Sequence, residues 1–102
     1  SFALGKIGYA AVPDLLSALK NENKYISLGA AMALINIGYE SRRAVPVLVI
    51  ALEDPDEDVR FYAALVLKKI GTEEAKKALE EYQEEQKEKE REQEKVENEQ
   101  QK

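Results

Sequence analysis

Apolar residues recur along this chain with helical spacing, in short blocks separated by Gly, Pro, Asn and Asp. In the stretch Ala44–Leu52, Ala44, Leu48 and Ala51 fall on one stripe of a helical wheel, and Val45, Val49 and Leu52 fall on an adjoining one. The same arrangement precedes it as Ala11, Leu15 and Ala18 beside Val12, Leu16 and Leu19. Longer periodic blocks lie between these short ones, at Asn21–Gly38 and Asp54–Gly71. The pattern therefore predicts alternating longer and shorter helices and no strands.

The blocks repeat. "ALGKIGYAAVP" from Ala3 returns as "ALINIGYESRRAVP" from Ala33 and, more faintly, as "VLKKIGTEEAKKAL" from Val66. Asn21–Gly38 lies over Asp54–Gly71 without a gap, displaced by 33 residues, as does Ala11–Asn21 over Ala44–Asp54. A period of that size built from two helical patterns is the signature of an α-solenoid, in which each helix pair covers its neighbour's apolar face. The expected fold class is all-α, a solenoid of helix pairs with a charged C-terminal helical extension. The expected divisions are a partial unit over 1–20, a full unit over 21–53, a C-terminal capping unit over 54–82 and a charged tail over 83–102.

Start and stop signals fit these blocks. Asp54, Pro55 and Glu57 read as N-cap, first helical residue and capping-box partner, with Asn21 capping the unit before. Gly38 and Gly71 stand where a left-handed C′ residue is expected. Ser41 and Thr72 are placed to cap the following helices, and Pro46 falls in a first turn, where its missing N–H costs little. In the last unit the second stripe turns polar, as Lys76, Glu80 and Gln83. A face without apolar residues needs no neighbour, so the stack is expected to end there.

Composition narrows the chemistry. The chain of 102 residues contains no His and no Cys. Disulfides, thiolate nucleophiles and Cys-ligated metals are excluded, and the commonest metal ligand and general base are missing. The net charge of −5 sits entirely in residues 80–102, with ten acidic and five basic side chains; residues 1–79 hold ten of each. A neutral body lacks the basic stripe that nucleic-acid binding needs. Nor does the sequence contain a charged-then-apolar leader pattern or a run of about 18 apolar residues. Because the chain opens on Ser1 inside its first copy of the repeat, it is expected to be part of something longer, with the cytoplasm as its default location.

The motifs "ALGKIG", "AVPDLLSAL" and "DPDEDVRFYAALVLKKIG" resemble the HEAT-like repeats first named for phycobilisome bilin lyases. The resemblance covers residues 1–82 and implies a helix-pair stack, with roles as varied as scaffold, lyase subunit and metal-dependent hydroxylase. It also implies an Asp–Arg ladder along the stack, kept at Val59-Arg60 and broken where the middle unit has Ile26-Ser27. A di-iron hydroxylase built on such repeats would need His-Glu pairs, and the chain has no His. The acidic run at residues 54–58 lacks the Gly turn and distal Glu of a Ca²⁺ loop, and acids at a helix start complement its dipole.

Protein binding or scaffolding without catalysis, cofactor or metal is the function that remains, with another protein as partner and neither nucleic acid nor membrane. An accessory subunit of a bilin-lyase-like complex, handling a tetrapyrrole, is the alternative that the resemblance implies. Phe2, Leu28, Met32, Ile35, Phe61 and Leu65 line up at the repeat spacing into an apolar band on the outer face of the longer helices. That band is the expected contact surface, for a partner or for self-association, with packing on neighbouring helices as the competing reading. Val47 and Ile50 form a second, local candidate, since their counterparts are Asp14 and Ser17. The tail, with Tyr82 and Val96 as its apolar residues from Glu80 onward, has no heptad stripe. It is expected to run on as a solvated helix supported by pairs such as Glu84–Lys87, Glu85–Lys89, Glu88–Arg91 and Glu92–Lys95, or to serve as an acidic arm for a basic partner.

Overall fold

The computed structural model describes residues 8–101. Among the described residues it has the helices α1 (Val12–Ala18), α2 (Lys24–Glu40), α3 (Ala44–Ala51), α4 (Glu57–Ile70) and α5 (Glu73–Gln100), helical backbone also at residues 8–10, and no strand. The short helices α1 and α3 are the second members of their pairs, and α2 and α4 are the long first members.

The helices stack by translation. Ser27 meets Tyr62 near the starts of α2 and α4, and Gly38 meets Ile70 at their ends, so the two long helices run parallel. Leu19, Leu34, Leu48 and Leu67 are fully buried, one from each of the successive layers. The first stripe of α3 is buried at Ala44, Leu48 and Ala51, and its second at Val45 and Leu52. At the C-terminal end Lys76, Glu80 and Gln83 are exposed, so nothing covers that face of α5.

The recurring Ile-Gly pair has a packing cause. A Cβ on Gly8 would stand 3.2 Å from the Ile37 side chain, and a Cβ on Gly38 would run into Ile70. Each unit's Ile thus seats on the Gly of the unit before, where the absent side chain lets two helices approach closely. Gly38 is consequently a buried helix residue, two positions inside the end of α2, and not a left-handed C′ residue. Gly71 does adopt that conformation, with φ +68°, and its N–H donates to the Leu67 carbonyl to close α4. Tyr39 adds a clamp between units, its hydroxyl donating to the Lys69 carbonyl at 2.9 Å.

The caps lie two residues later than the sequence suggests. Asn23 and Asp56 are the N-caps, accepting from Tyr25 N–H in one case and from Asp58 and Val59 N–H in the other. Asn21 and Asp54 instead accept from the N–H of these cap residues, both at 2.9 Å, and so form the turn that leads into the helix. Ser41 does not cap α3. Its N–H donates to the Ile37 carbonyl, which ends α2, and the N-cap position of α3 falls to Arg43 without a side-chain bond. Thr72 caps α5 as expected, accepting from Ala75 N–H at 3.1 Å.

Arg60 makes no rung of an Asp–Arg ladder. Its guanidinium donates to the carbonyls of Asp54 and Pro55, at 2.7 and 2.9 Å, and so ties down the turn of its own unit. In the middle unit the equivalent Ser27 is buried, with its hydroxyl oxygen 3.2 Å from the Lys24 carbonyl and 3.4 Å from the Tyr62 hydroxyl. Arg43 takes another inter-unit role, lying 4.6 Å above the Tyr9 ring, where a cation is attracted to the π face.

From Glu73 to Gln100 α5 is continuous, a helix of 28 residues and therefore about 42 Å long. It accounts for most of the 61 Å longest dimension. Its ion pairs are Glu73–Lys76, Glu84–Lys87 and Glu88–Arg91, all three residues apart and all exposed; Glu85–Lys89 and Glu92–Lys95 do not form.

Candidate functional site

The outward side of α2 and α4 carries large apolar side chains in water. Leu28 is 46% exposed, Met32 66% and Phe61 63%. Leu28 and Phe61 are 33 residues apart and so occupy equivalent positions on two packed, parallel helices, whose axes lie about 8–10 Å from each other. Ile35 and Leu65 are half-buried and pack against the core, so they form the inner edge of the band more than its surface. Phe2 lies outside the described residues.

Local packing fixes the Phe61 ring. Tyr62 is buried and meets Phe61 edge-on, with ring centroids 5.3 Å apart and planes at 80°. The Tyr62 hydroxyl in turn accepts from Ser27 at 3.4 Å. Phe61 is thereby held by a buried neighbour anchored on the adjacent unit, an arrangement that lowers the entropy lost when a partner covers it.

Two residues that the sequence pattern did not single out extend the surface. Tyr25 is 87% exposed and Ile26 45% exposed, at the start of α2. Gly29, four residues after Tyr25 and three before Met32, is exposed, and a Cβ there would meet nothing within 4 Å. The i, i+3 and i, i+4 relation of Tyr25 to Leu28 and Gly29 was the available signal. It is easily overlooked, because Asp58 stands at the matching place in the next unit.

Val47 and Ile50 lie apart from this band. Val47 is half-buried against the core, whereas Ile50 is 73% exposed. Both line a groove of about 350 Å³ with Leu16 of α1 and Val59 of α4, edged by Glu53 and Asp54.

Neither place assembles reactive groups. Among the described residues no three Asp or Glu side chains are grouped to hold a metal ion. Ser27, the buried polar side chain of the core, is engaged by the Lys24 carbonyl and the Tyr62 hydroxyl. What the two places share is apolar surface of fixed shape. No helix among the described residues is long and apolar enough to cross a membrane.

Comparison with protein-family models matches residues 12–96 to HEAT repeats and residues 1–21 to the PBS lyase HEAT-like repeat. Searches of curated proteins and of solved structures found no match.

Proposed function

The chain belongs to the HEAT-repeat family, and from that premise we propose that it is a non-catalytic protein-binding module whose contact surface is the outer apolar band. The observation that carries this reading is the exposure of Leu28, Met32 and Phe61 together, at 46%, 66% and 63%. Isolated exposed apolar residues are ordinary, but a cluster on adjacent repeats marks an interface. Full burial of such a side chain is worth about 1.5–3 kcal/mol, so covering three half-exposed ones contributes on the order of 3–5 kcal/mol. A complex with a 1 μM dissociation constant needs about 8 kcal/mol in all. The exposed Tyr25 and the flat site at Gly29 enlarge the area available.

The test is the triple variant Leu28→Ser, Met32→Ser, Phe61→Ser in affinity capture from a lysate of the source cells, with circular dichroism as a fold control. Retained helicity with loss of captured proteins is the expected result. Loss of helicity would make the band core, and Met32→Ser alone then decides, since a two-thirds-exposed side chain contributes little to folding. Sedimentation of the same variants separates a foreign partner from self-association.

A second reading rests on the lyase-type match over residues 1–21: an accessory subunit of a bilin-lyase-like complex. It predicts that an open-chain tetrapyrrole changes its visible absorption spectrum on mixing with the protein. An unchanged spectrum counts against it.

A further inference from the structure

We propose that the groove between α1, α3 and the start of α4 docks a short segment of a partner protein that presents one bulky apolar side chain flanked by Lys or Arg. The groove shares no residue with the outer band.

The first argument is where the repeat is broken. The two stripes of α1 that pack in the stack are apolar again at the matching places around α3, so an apolar residue found in one of these two units alone answers to something else. Ile50 is such a residue. Its counterparts are Ser17 in the first unit and Glu81 in the third, and it is 73% exposed. Val47, beside it, replaces Asp14 of the first unit. The two join Leu16 and Val59 as the floor of a cavity of about 350 Å³. That volume is at the small end of the roughly 300–1,000 Å³ range of ligand pockets, enough for a side chain and its neighbours.

Charge identifies the flanks of the occupant. Residues 53–60 carry five carboxylates and a single guanidinium. That guanidinium, of Arg60, is committed to the carbonyls of Asp54 and Pro55. Among the described residues none of the five carboxylates has a Lys or Arg within ion-pair distance; the ion pairs that do form lie on α5. Glu53 and Asp54 stand at the groove itself. An apolar floor beside an unneutralised acidic edge repels phosphate backbones and anionic lipid, and attracts a cation delivered next to an apolar anchor.

A displayed library of random short peptides, selected on the whole chain, tests this. Enriched peptides are resynthesised and titrated by fluorescence anisotropy against the wild type, Ile50→Ser, Glu53→Lys and Met32→Ser, each checked by circular dichroism. The expected peptides carry Leu, Ile, Met or Phe next to Lys or Arg. They lose about tenfold or more in affinity with Ile50→Ser, the loss of a buried aliphatic contact. They weaken likewise with Glu53→Lys and bind Met32→Ser unchanged. Failure to enrich any peptide overturns the proposal, as does enrichment without that composition or full binding to Ile50→Ser. Peptides lost only in Met32→Ser would assign binding to the outer band, ending this inference while leaving the preceding one intact.

Discussion

At Gly38 the chain has no side chain because Ile70 of the next unit fills the place a Cβ would take. Ile70 is itself buried, so it cannot simply swing into water. Gly38→Ala is expected to destabilise the protein by about 1–3 kcal/mol through overpacking, although Ala is the better helix former. Urea unfolding of Gly38→Ala, Ile70→Val and the double variant checks the cause: Ile70→Val, which removes the crowding methyl, should cost less in the Gly38→Ala background than alone. Gly71 stands in the same dipeptide for a different reason, its φ of +68°. Gly71→Ala is expected to cost roughly 1–2 kcal/mol as a left-handed Ala, and no substitution at Ile70 should relieve it. The motif made the two glycines look alike, because a sequence shows that Gly is needed and not whether backbone angle or a neighbour requires it. The caps pose the same difficulty. Asn21 and Asn23, like Asp54 and Asp56, are all side chains able to cap, two residues apart, and only the hydrogen bonds distinguish cap from preceding turn. Asp56→Ala should therefore cost about 1 kcal/mol, the usual value of a lost N-cap, and more than Asp54→Ala.

The helices themselves were legible, since a 33-residue period shared by two helical patterns leaves little freedom in how they stack. The polar face of α5 was legible too: Lys76, Glu80 and Gln83 replace Val45, Val49 and Leu52 of the unit before, and all three are exposed. The ion pairs along α5 were read less well, because long flexible side chains in water have several near-equal partners. The side chains of the three pairs that form are 61–94% exposed, and such pairs contribute about 0–1 kcal/mol each at most. The tail is accordingly a helix that the body starts and does not depend on. Removing residues 87–102 should lower the helical circular dichroism signal while moving the free energy of urea unfolding by less than about 1 kcal/mol. A larger loss would mean that the tail packs on the body.

For the molecule as a whole, the sequence located apolar positions well and exposure poorly. Leu28 and Ile35 carry the same expectation from periodicity, yet Leu28 is exposed and Ile35 packs on the core, because neighbours decide burial and the wheel of one helix does not contain them. The ends of the stack test this directly. A solenoid continues wherever a unit presents an apolar face and stops where that face is polar. The polar face here consists of Lys76, Glu80 and Gln83 on α5, where the middle unit has Val45, Val49 and Leu52, half-buried or buried. Replacing them with their counterparts, as Lys76→Val, Glu80→Val and Gln83→Leu, leaves the internal contacts of the last pair in place and creates an apolar surface with nothing over it. Such a surface invites association. Sedimentation velocity over a concentration series should therefore show the triple variant shifting to larger species than the wild type, with its helicity retained. Sedimentation identical to the wild type would mean that those three polar residues are not what keeps that face from pairing.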